Sequence, residues 1–238
     1  MSKFAEKKKY LIAAAIGTGL FFLGSLIYSI IVLVISVIDG KGQNVETDPY
    51  AMSILQYLSY VPFLVGAIIL LKDDFINDFR KMKKRPGKVF LTSLWCFGIM
   101  YGANIVVSII YSLFGDQGES ANESIINEIL LSDAALPMII SVCILAPVAE
   151  EILFRKIMFG LCEKTFNFKP MITVIISTLV FSFIHVTDPE SFKYIFQYIP
   201  LAFAICLCYH KSGNNIYASI FLHAINNTLA VVATYLSL

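Results

Sequence analysis

Charge is scarce in this sequence. Only 15% of its 238 residues are Asp, Glu, Lys or Arg, while 58% are hydrophobic. A soluble globular domain carries about 25% charged residues. The deficit runs along the whole chain, so one anchor does not account for it and a soluble fold is excluded. Paired cysteines are also missing. Cys96, Cys143, Cys162, Cys206 and Cys208 form no CxxC and lie in or at the end of apolar runs. That excludes a disulfide framework and leaves them as small buried hydrophobes. No internal repeat, low-complexity tract, HExxH helix or Ser–His–Asp set is present. The net charge of +1 argues neither for nor against nucleic acid, because loop distribution carries the information in membrane proteins. No nucleic-acid partner is expected; the bilayer is.

What is present is a series of long uncharged runs. A spanning helix needs about 20 mainly apolar residues. Seven segments qualify: Tyr10 to Ile38, Pro49 to Leu71, Val89 to Gly115, Ala134 to Leu161, Pro170 to Thr187, Tyr194 to Tyr209, and Ile216 to Leu238. The first is too long for the core of a cleaved signal peptide and is read as a retained helix that tilts, or bends at Gly17, Gly19 or Gly24. The sixth is short. The fold class is therefore all-α, a multi-spanning transmembrane helix bundle of about seven spans (seven to eight).

Loop charges orient the bundle. Lys3, Lys7, Lys8 and Lys9 precede segment one; Lys72, Arg80, Lys81, Lys83, Lys84, Arg85 and Lys88 follow segment two. Lys164 and Lys169 follow segment four, and Lys211 follows segment six. With seven spans these regions share one side, and the opposite loops hold only Lys41 and Lys193. The asymmetry predicts a cytoplasmic N-terminus and an external C-terminus. Phe75 to Lys88 reads as a basic, aromatic piece lying on an anionic membrane surface. Asn122 to Leu131 reads as an amphipathic connector, with Ile125, Ile126, Ile129 and Leu130 on its apolar side.

Ionisable residues inside the last four segments break the apolar pattern. Each costs roughly 2.5–3.5 kcal/mol near the bilayer centre and marks a functional candidate. Segment four carries Glu150, Glu151, Arg155 and Lys156. Glu151 and Arg155, four apart, share a helix face and can pair. Glu150 lies about 100° away, beside Pro147, which lacks an N–H and can kink the helix. Segment five carries Phe181 and His185; segment seven carries His223, Asn226 and Asn227. His223 and Asn227 share a face, and Asn226 points elsewhere. A carboxylate with histidines suits water activation for amide hydrolysis, and His223 with the Asn227 amide suits oxyanion stabilisation. Counted in helical turns from the inner ends of their segments, His223 lies shallowest, Glu150 deeper and His185 deepest. With a rise of about 1.5 Å per residue, the depths differ by roughly 10 Å. Only tilt or a late start of the fifth helix closes that gap.

EExxxR (Glu150, Glu151, Arg155), FxxxH (Phe181, His185) and HxxxN (His223, Asn227), in this order, resemble the motifs of the CAAX protease and bacteriocin-processing (CPBP) family of intramembrane peptidases. All three lie between Glu150 and Asn227, toward the C-terminal end of the chain. The resemblance implies a glutamate-dependent endopeptidase. Glu150 with His185 activates water, His223 and Asn227 form the oxyanion site, Glu151 and Arg155 are a supporting ion pair, and Phe181 packs. It divides the chain into N-terminal helices (residues 1–115), an external connector (116–133) and a catalytic four-helix core (134–238). It implies a peptide or membrane-protein substrate, a bacterial cell-membrane location, and cleavage near the inner face.

Other readings remain open. Glu150, His185 and His223 are an established type of catalytic zinc set, although metal-free chemistry with no cofactor is the preferred expectation. A non-catalytic immunity or scaffold protein is the second functional reading. A transporter ranks last, since no paired discontinuous helices appear. Oligomeric state is not legible.

Overall fold

The computed structural model describes residues 3–39, 48–115, 118–186 and 188–237. Lys41, Asp116, Thr187, Leu238 and the side chain of Lys3 lie outside the described residues. The described residues form helices and no strands: α1 (Lys3–Asp39), α2 (Pro49–Lys84), α3 (Pro86–Leu113), α4 (Ala121–Leu130), α5 (Ala135–Thr165), α6 (Pro170–Ile184), α7 (Ile195–Lys211) and α8 (Ile216–Leu236). Six helices are long and apolar enough to cross a membrane, and α6, at 15 residues, is a shorter apolar seventh. Ile69, Trp95 and Leu136 face outward at 68–71% exposure. Such a surface suits lipid, which competes with none of the backbone hydrogen bonds that the helices satisfy internally.

Several boundaries differ from the sequence reading; segment five, for one, ends at Ile184, which makes His185 the C-cap of α6. The basic stretch after segment two is helical: α2 breaks helical geometry at Leu71 (φ −113°, ψ 15°), where the apolar segment ends, and runs on to Lys84, while Lys88 lies in the first turn of α3. The connector is the helix α4, capped by the Ser120 hydroxyl accepting from the Glu123 N–H, with Ile129 and Leu130 buried and Ile125 exposed. Segment four runs to Thr165 rather than Leu161, through π-helical stretches at Ser141–Leu145, Ile152–Met158 and Gly160–Thr165.

The main core mixes both halves of the chain. Tyr10, Ala13, Phe63 and Leu71 of α1 and α2 pack with Ala149, Ile152 and Ile157 of α5, Cys206 of α7 and Ile216 of α8. Lys9 clamps α1 to α2 through Asp74 at 2.5 Å. Two of the three glycines of α1, Gly17 and Gly24, serve close packing. A Cβ on Gly24 would sit 2.2 Å from the Leu58 carbonyl oxygen of α2. That carbonyl lacks its usual helical donor because residue 62 is proline. Gly24→Ala is therefore expected to force α1 and α2 apart and to destabilise by about 1–3 kcal/mol, read as a lower unfolding midpoint in detergent. Gly19→Ala, where nothing lies within 4 Å, is the neutral control.

A buried carboxylate sets the level of α8. Asp78 is 1% exposed and ion-pairs with Lys156 of α5. Its Oδ2 also accepts the Ile216 N–H at 3.1 Å, and its carbonyl accepts from Asn215 Nδ2 at 2.8 Å. Helix α8 thus starts level with Lys156, well above the end of α5. From that shared level, Glu150 and His223 each lie roughly two helical turns away along their own helices. Glu150 also lies roughly four turns before the end of α5 at Thr165, and His185 roughly four turns beyond the start of α6 at Pro170. The depth spread counted from segment ends disappears for these two reasons.

Candidate active site

Glu150 and Glu151 occupy a short α-helical stretch of α5, Ala146–Glu151, between two π-helical stretches. Such irregular turns recur at functional sites. Their local cause is legible at Pro147. The Ala146 N–H bonds Ser141 O, an i→i−5 link, and Pro147 has no N–H to offer. The Val142 carbonyl is left without either helical donor. Asn227 Nδ2 supplies one from α8 at 3.0 Å, which fixes the amide beside Glu150. Asn226, expected to point elsewhere, lines the same cavity and donates to Asn227 Oδ1 at 3.2 Å.

Glu151 and Arg155 form the expected ion pair, at 3.2 Å with both side chains fully buried. The pair has a further member. His223 Nδ1 lies 3.0 Å from the other Glu151 oxygen. A carboxylate beside a guanidinium accepts, so Nδ1 carries the proton and Nε2 of a neutral ring carries the lone pair. His185 is arranged likewise. Its Nδ1 lies 2.7 Å from the Phe181 carbonyl, one turn back at the end of α6. A carbonyl only accepts, so Nε2 is again the free nitrogen. Phe181, 0% exposed, does more than fill space. Its ring stacks on His185 (4.4 Å, 26°), meets His223 edge-on (5.8 Å) and lies under the Arg155 guanidinium (4.9 Å).

Both free nitrogens face Glu150. His185 Nε2 and His223 Nε2 each lie 3.9 Å from Glu150 Oε2, too far for direct hydrogen bonds. Oε2 is buried without a hydrogen-bond partner, while Oε1 accepts from the Tyr60 hydroxyl of α2 at 3.3 Å. The structure therefore brings Glu150, His185, His223 and Asn227 together, with Glu151, Arg155 and Phe181 behind them. Tyr60 escaped sequence reasoning: an isolated tyrosine in an apolar helix gives no signal. Among the described residues no group of three or more His, Cys, Asp or Glu is arranged to hold a metal ion.

A cavity of about 520 Å³ holds this cluster. Phe22, Leu153, Val180 and Ile184 form apolar wall, and Asn122, Glu123 and Asn127 of α4 with Thr234 of α8 form a polar end. That end lies opposite the basic loops. Helix α4 is tied across it. The Ser120 hydroxyl meets Tyr198, whose ring packs on His185 at 4.9 Å. Thr234 donates to Asn127, and Tyr235 donates to Leu130 O. Burial, with Glu119 nearby, pushes the Glu123 carboxyl above its ordinary range.

Comparison with known proteins is consistent with this geometry. Residues 132–229 match the family model described as type II CAAX prenyl endopeptidase Rce1-like. The chain is 30% identical over 193 residues to the "Putative membrane peptidase YdiL" of Bacillus subtilis, covering 79% of this chain and 74% of the relative. It is 27% identical over 183 residues to the "Membrane-embedded CAAX protease MroQ" of Staphylococcus aureus, covering 74% and 72%. It is 27% identical over 237 residues to the "UPF0177 protein YaiF" of Lactococcus lactis, covering 97% and 99%. No solved structure gives a significant match. The matched family region contains all three motifs, EExxxR, FxxxH and HxxxN. With its bundle of apolar helices, the chain belongs to the Rce1-like CAAX protease family of membrane-embedded peptidases.

Proposed function

We propose that the protein is an active intramembrane endopeptidase that hydrolyses a peptide bond in a membrane-associated peptide or protein. The observation that carries this reading is the convergence of His185 Nε2 and His223 Nε2 on the unpartnered Glu150 Oε2, each at 3.9 Å. A water hydrogen-bonded at about 2.8 Å to two groups so spaced has a natural place between them. Glu150 takes a proton from that water, oriented by His185, and the hydroxide adds to the scissile carbonyl carbon. The oxyanion accepts from the Asn227 N–H that is not donated to Val142 and from His223 Nε2–H. For that part His223 carries a second proton on Nε2, in place of the lone pair of the neutral ring, with Nδ1–H still held by Glu151. Collapse of the tetrahedral intermediate breaks the C–N bond, and the Glu150 proton passes to the leaving amine.

The cell membrane of a bacterium, with the N-terminus cytoplasmic, is the proposed setting. It rests on the loop lysines and arginines and on the bacterial relatives. The polar end of the cavity then faces outward. The chemistry is proposed to need no metal. Zinc held by Glu150, His185 and His223 is the rival. Peptide release by the purified protein in lipid nanodiscs, with bacterial membrane extract as substrate, is expected to survive a strong chelator unchanged. Loss of release, restored by added zinc, would transfer the role of water activation to the metal.

A further inference from the structure

We infer that Tyr60 is a positioning residue for Glu150, so the N-terminal helices contribute directly to the reacting centre. The inference rests on the proposed role of Glu150 and extends it to a residue outside the three motifs. Tyr60 stands on α2, and its hydroxyl donates to Glu150 Oε1 at 3.3 Å. A carboxylate on a helix has two equivalent oxygens and a broad terminal torsion. Only one orientation places an oxygen 3.9 Å from both histidine Nε2 atoms. The Tyr60 hydrogen bond selects that orientation by holding the other oxygen. Tyr60 is itself held in place: Phe63 and Ala67 on the same helix are buried in the core that packs Ala149 and Ile152 around Glu150. Both Tyr60 and Glu150 line the cavity. No other hydrogen bond to a Glu150 side-chain oxygen is found among the described residues.

Tyr60→Phe keeps the ring and removes the donor. The direct test needs no substrate. In infrared spectra of the protein in nanodiscs, the side-chain band that Glu150→Gln abolishes is assigned to Glu150. That band is expected to shift in Tyr60→Phe and to stay in place in Tyr57→Phe, whose hydroxyl donates instead to Pro137 O. The second arm follows release of whichever peptide depends on Glu150. Tyr60→Phe is expected to lower kcat about 10-fold, as loss of one hydrogen bond to a charged group implies, with KM unchanged and the thermal midpoint within a degree or two of wild type. An unshifted band overturns the inference, and so does a shifted band with an unchanged kcat. If Glu150→Gln retains full activity, the proposed function fails, and the infrared arm alone then reports whether Tyr60 orients the carboxylate.

Discussion

Glu150→Gln is expected to slow peptide release by about 10³-fold or more while leaving the folded protein intact. Glutamine keeps the length and planarity of the side chain, and its carbonyl oxygen accepts from Tyr60 as Glu150 Oε1 does at 3.3 Å. It cannot take a proton from water. A positioned general base contributes roughly 10² to 10⁴ in rate, and among the described residues no second carboxylate stands free beside the histidines to substitute for it. Glu151 is committed to Arg155 and His223. Unfolding of the variant in detergent should begin within a degree or two of wild type, so lost activity reports lost chemistry. His185→Ala should abolish release as well, but it also removes the ring stacked on Phe181 and is the less clean probe.

The largest effect on stability is expected at Arg155. Its guanidinium is fully buried, paired with Glu151 and lying against Phe154 and Phe181. Removing one member of a buried pair leaves an uncompensated charge and costs about 3–5 kcal/mol. Arg155→Met should therefore destabilise strongly, and activity should fall because Glu151 no longer holds His223 against a fixed partner. Arg155→Met combined with Glu151→Gln should be more stable than Arg155→Met alone, since both charges then leave the interior. Chemical denaturation of the two single variants and the double variant measures the coupling. Additive losses would show that the ion pair does not act as a unit.

Much of this arrangement was legible in the sequence. The spans were readable because lipid tolerates little charge between them, and helix phase put Glu151 with Arg155 and apart from Glu150. Other features depended on contacts between segments far apart in sequence. The start of α8 is set by Asp78, which meets Lys156 and Ile216 only in the folded bundle. Counting from apolar run ends therefore misjudged the depth of His223. The π-helical stretches of α5 leave no mark in periodicity, yet with Pro147 they free the Val142 carbonyl that anchors Asn227. Phe181 reads as packing from the sequence, and only the folded geometry shows its carbonyl fixing the His185 tautomer.

Glu150, with the two histidines facing it, is proposed to hydrolyse peptide bonds within the membrane. Comparative peptidomics of cells carrying the wild type and cells carrying Glu150→Gln, at matched membrane abundance, tests it most directly. A discrete set of fragments is expected to appear only with the wild type, with uncleaved precursors accumulating in the variant. Indistinguishable peptide profiles, with the protein's cellular effect preserved in the variant, would contradict it and would favour a non-catalytic scaffold or immunity role.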